Sequence, residues 1–137
     1  MNSNSEVEMP KTNIKDYFLY AALGGILHPL AGGAFSYLLV GMDALYANYV
    51  SNEISLFTGS VLIGTSPFGL FVCVPMFISA GALYSVVFGF IYNATSHGKA
   101  SSRSNRVLYN ILFSLVMAVI GPIVVFIILQ TLNHLLS

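Results

Sequence analysis

Charge is what this chain lacks. Of its 137 residues, five are basic and five acidic, 7% in all, against the roughly 25% of an ordinary soluble domain. A water-soluble fold with so little charge could not cover its own surface with polar groups. The formal net charge is zero, which removes the basic face that a nucleic-acid partner would require. Tryptophan is absent and cysteine occurs once, as Cys73 inside an apolar run. A single cysteine forms no internal disulfide, and in that setting it reads as a small buried hydrophobe. No Lys or Arg stands between Lys15 and Lys99, and none follows Arg106.

What fills the chain instead is apolar: 56% of the residues, with a mean hydropathy of +0.81. Three segments, 17–40, 69–93 and 107–132, each exceed the roughly 20 residues that cross a 30 Å hydrocarbon core. Tyrosines and phenylalanines stand where interfacial residues belong: Tyr17, Phe18 and Tyr20 at one end of the first segment, Tyr46 and Tyr49 beyond the other, Tyr92 and Tyr109 around the second basic stretch. Residues 1–16, rich in Asn, Ser and Glu and holding Pro10, read as a disordered tail, and 17–137 as one membrane-embedded helical domain. The apolar run from Tyr17 is too long for a secretory signal core, so the first segment reads as an uncleaved membrane helix.

The stretch from Leu56 to Asn93 is too long for one straight crossing and invites division into two. A turn near Pro75 would place only Cys73, Val74, Pro75 and Met76 at the headgroups, none of them polar enough to meet water. A turn at Thr65-Ser66-Pro67-Phe68-Gly69 has good turn chemistry, but its first arm would carry Asp43, Asn48, Asn52 and Glu53 into hydrocarbon. Parity gives the same answer. With one crossing here, all five basic residues lie on one side of the membrane; with two, they divide, against the positive-inside tendency. Residues 56–66 are therefore expected to form a short half-helix, re-entrant or interfacial. The expected fold is an all-α polytopic bundle of three transmembrane helices plus that half-helix. The N-terminus and loop 94–106 are expected inside, loop 41–55 and the C-terminus outside, in a plasma or bacterial inner membrane.

Each long segment carries a stripe of small or polar residues at four-residue spacing: Gly24, His28, Gly32 and Ser36; Gly81, Ser85, Gly89 and Asn93; Asn110, Ser114, Ala118 and Pro122. Such stripes let helix backbones approach closely. Gly24, Gly32, Gly81 and Gly89 are the expected packing positions, either within the bundle or against a partner subunit.

His28-Pro29 is the most singular feature. His28 is the one residue of the Asp, Glu, Lys, Arg and His set near a membrane midplane, where ionisable groups are functional suspects. Pro29 supplies no backbone N–H, which leaves the Gly25 carbonyl free and loosens the helix. The simpler expectation is a neutral imidazole hydrogen-bonded to Ser36, Ser85 or a free carbonyl. The sharper one is a proton relay or gate at a glycine-rich kink, with His28, Pro29, Ser36 and Ser85 as the binding or gating group.

No metal, cofactor or catalytic constellation is present. Haem requires ligands at one depth, and His97 and His134 fall at opposite ends of the membrane from each other and away from His28. Zinc requires three or four ligands. A Ser66–His28 hydrolase has no supporting motif. The expectation is a non-enzymatic small membrane protein without cofactor. It would act through helix–helix contacts, as an accessory subunit or an immunity- or exclusion-type binder of another membrane protein. The alternative is a self-assembling channel or transporter with His28 lining its path. Its partners are the lipid bilayer and another membrane protein or a second copy of itself.

Overall fold

The computed structural model describes residues 13–48 and 55–136. Five helices hold nearly all of them: α1 (Ile14–Tyr46), α2 (Leu56–Gly64), α3 (Pro67–Ala94), α4 (Ser96–Ala100) and α5 (Arg103–Leu136). No strand occurs among the described residues. The chain is an all-α bundle in which α1, α3 and α5 are long and apolar enough to cross a membrane, joined by the half-helix α2 and the short α4. At 1.5 Å per residue, α2 spans only about 14 Å, less than half a hydrocarbon core.

Local chemistry sets the boundaries. Asn13 caps α1 by accepting from the Lys15 N–H (3.1 Å), Ser55 caps α2 from Thr58 (3.3 Å), and Thr95 caps α4 from Gly98 (3.0 Å). Ser66 caps α3 through the Gly69 N–H (3.1 Å), and Pro67 stands in the first turn, where a missing N–H costs nothing. Only Thr65 and Ser66 separate α2 from α3, and the turn is so tight that a side chain at residue 69 would strike the Ile63 and Gly64 carbonyls.

Two boundaries differ from those read in the sequence. α1 begins at Ile14, so Asp16, assigned there to the tail, belongs to the helix and is buried. It also continues to Tyr46 and takes in Asp43, placed above in an outer loop. Hydrogen bonding removes much of the cost that argued against burying Asp43. The tail residues 1–12, with Lys11, and the loop residues Tyr49, Asn52 and Glu53 lie outside the described residues.

The contacts fix the register. Arg103 meets Asp16 and Gln130 meets Asp43, each across 87 positions, and Gly32 faces the Ala118 carbonyl between them, so α1 and α5 run parallel. α3 runs antiparallel to α1, with Gly24 against Gly81 and Ser85, and Tyr20 against Gly89. The bundle therefore has a basic end, holding the α1 start and the α3–α5 junction, and an opposite end holding Asp43 and α2.

Its interior is inverted relative to a soluble protein. Gly24, Gly81, Ser85, Gly89, Asn93, Asn110, Ser114 and Ala118 are buried, while Phe68 and Phe71 are each 80% exposed and Leu30 and Phe90 each 67%. Lipid is as apolar as leucine, so large side chains gain nothing by turning inward; close backbone approach and interhelical hydrogen bonds hold such a bundle. Aromatic contacts add to them, with Phe88 stacked on Phe113 (4.1 Å between centroids) across α3 and α5, and Phe57 edge-on to Phe126 (5.0 Å), fixing α2 to α5.

Candidate functional site

The packing divides the interior into three levels. In the middle, Gly24 and Gly81 bring α1 and α3 so close that a side chain at either would strike the backbone of the other. Beside them the Ser85 and Ser114 hydroxyls are 2.6 Å apart, the Asn110 amide donates to the Ser85 carbonyl (2.7 Å), and Ser114 donates to the Asn110 carbonyl (2.9 Å). This level is tightly packed.

Above it, toward Asp43, the helices separate around a cavity of about 440 Å³. α1 contributes the wall from His28 and Pro29 through Gly32, Gly33 and Ser36 to Tyr37. α2 closes a second side with Phe57, Ser60, Val61 and Gly64, followed by Thr65 after its end; α3 adds Cys73 and Phe77, and α5 adds Ala118, Gly121 and Pro122. Two causes for the space are visible. Gly33 and Gly121 have nothing within 4 Å of where a side chain would begin, so the facing helices leave them unfilled. A nine-residue half-helix also fills less volume than a full crossing would. The volume falls in the range of small-molecule sites, roughly 300–1,000 Å³.

Little of the lining has free hydrogen-bonding capacity. Ser36 donates to the Gly32 carbonyl (2.7 Å), Ser60 to Leu56 (2.7 Å) and Thr65 to Val61 (3.0 Å), each within its own helix. His28 differs. Its half-buried ring lies against Tyr84 (5.9 Å between centroids) and Phe77 (6.3 Å), and neither imidazole nitrogen has a hydrogen-bond partner among the described residues. The expected bond to Ser36, Ser85 or a carbonyl is not formed: both serines are engaged elsewhere, and the aromatic side chains of α3 occupy the imidazole's surroundings. Of the four residues expected to form a binding or gating group, His28, Pro29 and Ser36 share the cavity wall; Ser85 belongs to the packed level below.

Farther along α1 from the cavity, Asp43 is 5% exposed and holds three elements together. Its carboxylate accepts from the hydroxyls of Ser55 and Thr58 and from the Gln130 amide (2.7 Å). Sequence reasoning missed this group because a lone aspartate beside Asn48 and Glu53 looked like a solvated loop. The pairing depends on α5 arriving in parallel register, which no local pattern announces.

The third level lies toward the basic end. Asp16 is 3% exposed and accepts from Arg103 Nε (2.7 Å). Tyr20, Asn93 and Arg106 are buried beside it, and Arg106, placed in the sequence at the end of loop 94–106, lies in the first turn of α5 and is buried. At 8% exposure the Asn93 amide is enclosed by the bundle. No group of three or more His, Cys, Asp and Glu residues able to hold a metal exists among the described residues. Comparisons with family models, with curated proteins and with solved structures give no match, so the functional argument rests on this geometry.

Proposed function

We propose that the chain is a non-enzymatic integral membrane protein that carries or passes a small solute through the cavity beside His28, the channel or transporter reading of the sequence. One observation carries this choice. The His28-Pro29 segment opens into a cavity of about 440 Å³ with its imidazole unbonded, whereas the paired contacts of Gly24 with Gly81 and of Gly32 with Ala118 are spent inside the bundle. The cavity occupies the half of the bundle nearer Asp43, and the Gly24–Gly81 level seals it from the other half. That arrangement supports an entry vestibule above a closed gate, with the His28 imidazole at the bottom of the vestibule free to bind.

The second reading, action by contact with another membrane protein as an accessory subunit or an immunity- or exclusion-type binder, has its own support. Gly33 and Gly121 line the same cavity with open space before them, and a partner's side chains could fill it. Reconstitution separates the two. The transport reading expects the purified chain in liposomes to pass small solutes or protons, and His28→Gln to abolish the flux at unchanged abundance and insertion. A silent wild-type chain that co-purifies stoichiometrically with one foreign membrane protein overturns it in favour of contact. The charge distribution supports an N-terminus on the cytoplasmic side of a plasma or bacterial inner membrane.

A further inference from the structure

The basic end of the bundle holds a concentration of polar atoms that the packing does not satisfy. The Tyr20 hydroxyl, both side-chain polar atoms of Asn93, Arg106 Nε and Asn110 Oδ1 are sealed from solvent and make no hydrogen bond. They belong to four residues that are 1%, 8%, 4% and 0% exposed and are contributed by α1, α3 and α5. They also converge. The Tyr20 hydroxyl approaches Asn93 without reaching hydrogen-bond geometry and lies within electrostatic reach of Arg106 and Asp16. Gly89, between them, faces both the Tyr20 ring and the Asn110 amide. Buried polar groups are ordinarily paired, and several orphans at one place call for an occupant.

The charge decides what kind. Asp16 is paired with Arg103, and no carboxylate among the described residues lies at ion-pair distance from Arg106. A buried lysine or histidine could shed its proton; a guanidinium does not deprotonate in a protein. A permanent cation whose Nε–H is sealed from water and unbonded is stabilised by an anion placed beside it. The position, in the first turn of a 34-residue helix, adds the positive end of the α5 dipole. We infer that Tyr20, Asn93 and Arg106 form a binding site for a small monovalent anion of chloride size. The Tyr20 hydroxyl, the Asn93 amide N–H and Arg106 Nε–H donate to the ion, and accompanying water satisfies Asn93 Oδ1 and Asn110 Oδ1. The inference does not depend on the transport reading, since these residues do not line the cavity.

The test is chloride itself. The purified wild-type chain in mild detergent should bind radiolabelled chloride saturably. Its thermal midpoint should fall when chloride is replaced by gluconate at constant ionic strength and be restored by bromide but not by sulfate. Tyr20→Phe removes one donor and should raise the half-saturating chloride concentration about tenfold, the loss of one charge-assisted hydrogen bond. Arg106→Gln should abolish both binding and chloride dependence. Should the glutamine variant fail to fold, wild-type binding and the Tyr20→Phe shift still decide. A wild-type chain indifferent to chloride holds water alone at this site, and chloride dependence unchanged in both variants puts the ion elsewhere; either result overturns the inference.

Discussion

At the scale of single residues, glycines do the work that large hydrophobes do in water-soluble cores, and they are not equivalent. A side chain at residue 81 would meet the Gly24 backbone and the Cβ of His28, neither of which can move without parting α1 from α3. At residue 89 the obstacles are side chains rather than backbone, the Tyr20 ring and the Asn110 amide, and at residue 41 nothing lies within 4 Å. Gly81→Leu should therefore lower stability in detergent most, by at least the roughly 1–3 kcal/mol typical of overpacking, with Gly89→Leu intermediate and Gly41→Leu neutral. Thermal melts of the three variants check the order; equal midpoints would mean that α1 and α3 do not meet at Gly24 and Gly81. The four-residue stripes made these positions legible in the sequence, because close helix approach in lipid has few other solutions. The surroundings of His28 were not legible, because they depend on where Phe77 and Tyr84 fall on a different helix. As its contacts are with rings, His28→Phe should keep the stability, while His28→Gln should lose about 0.5–1.5 kcal/mol, the worth of an aromatic pair.

At the scale of elements, α2 is the part whose attachment matters most to the cavity, because it supplies one entire wall. Its Phe57 rests on Phe126, and its first turn is tied through Ser55 and Thr58 to the Asp43 carboxylate. Hydrogen bonds to a charged group contribute about 1.5–3 kcal/mol each, enough for Asp43 to decide whether α2 stays docked. Cys73 offers a built-in reporter: it lines the cavity on α3, with its sulfur 3.6 Å from where a Gly64 side chain would begin. Asp43→Leu should accelerate alkylation of Cys73 by a membrane-permeant maleimide about tenfold or more, as local opening of α2 becomes cheaper by at least one such bond. Thr58→Val, losing a single hydroxyl, should give a smaller increase. An unchanged rate in both variants would mean that Asp43 does not hold α2. The half-helix itself was legible from the turn chemistry at Thr65-Ser66-Pro67 and from the acidic loop before it. Its docking partner was not, since hydrophobic patterning says nothing about which distant amide and carboxylate will meet.

At the scale of the whole molecule, two interhelical pairs bear on how the chain threads the membrane. Arg103 on Asp16 brings the start of α5 to the start of α1, and Gln130 on Asp43 brings their far ends together, so Lys15, Lys99, Arg103 and Arg106 all gather at one end of the bundle. The sequence alone suggested that gathering by parity, and the parallel register of α1 and α5 supplies a physical reason for it independent of any charge rule. Since basic residues are retained on the cytoplasmic side, reporter fusions should read cytoplasmic at Ser101 and external at Asn48 and Ser137. A fusion at Ser66, after α2, should read external with Asn48, because α2 is too short to cross. The charges should also set the orientation rather than merely accompany it. Replacing Lys99 and Arg103, the two exposed members that lie between α3 and α5 or at the start of α5, with glutamine while adding two lysines near Asn48 should produce a mixed population in which some chains are inverted. Arg106 is left intact in that variant, because its burial would confound insertion with folding. A cytoplasmic reading at Ser137 in the wild-type chain would mean an even number of crossings, and α2 with the start of α3 would then have to be redrawn as two spans.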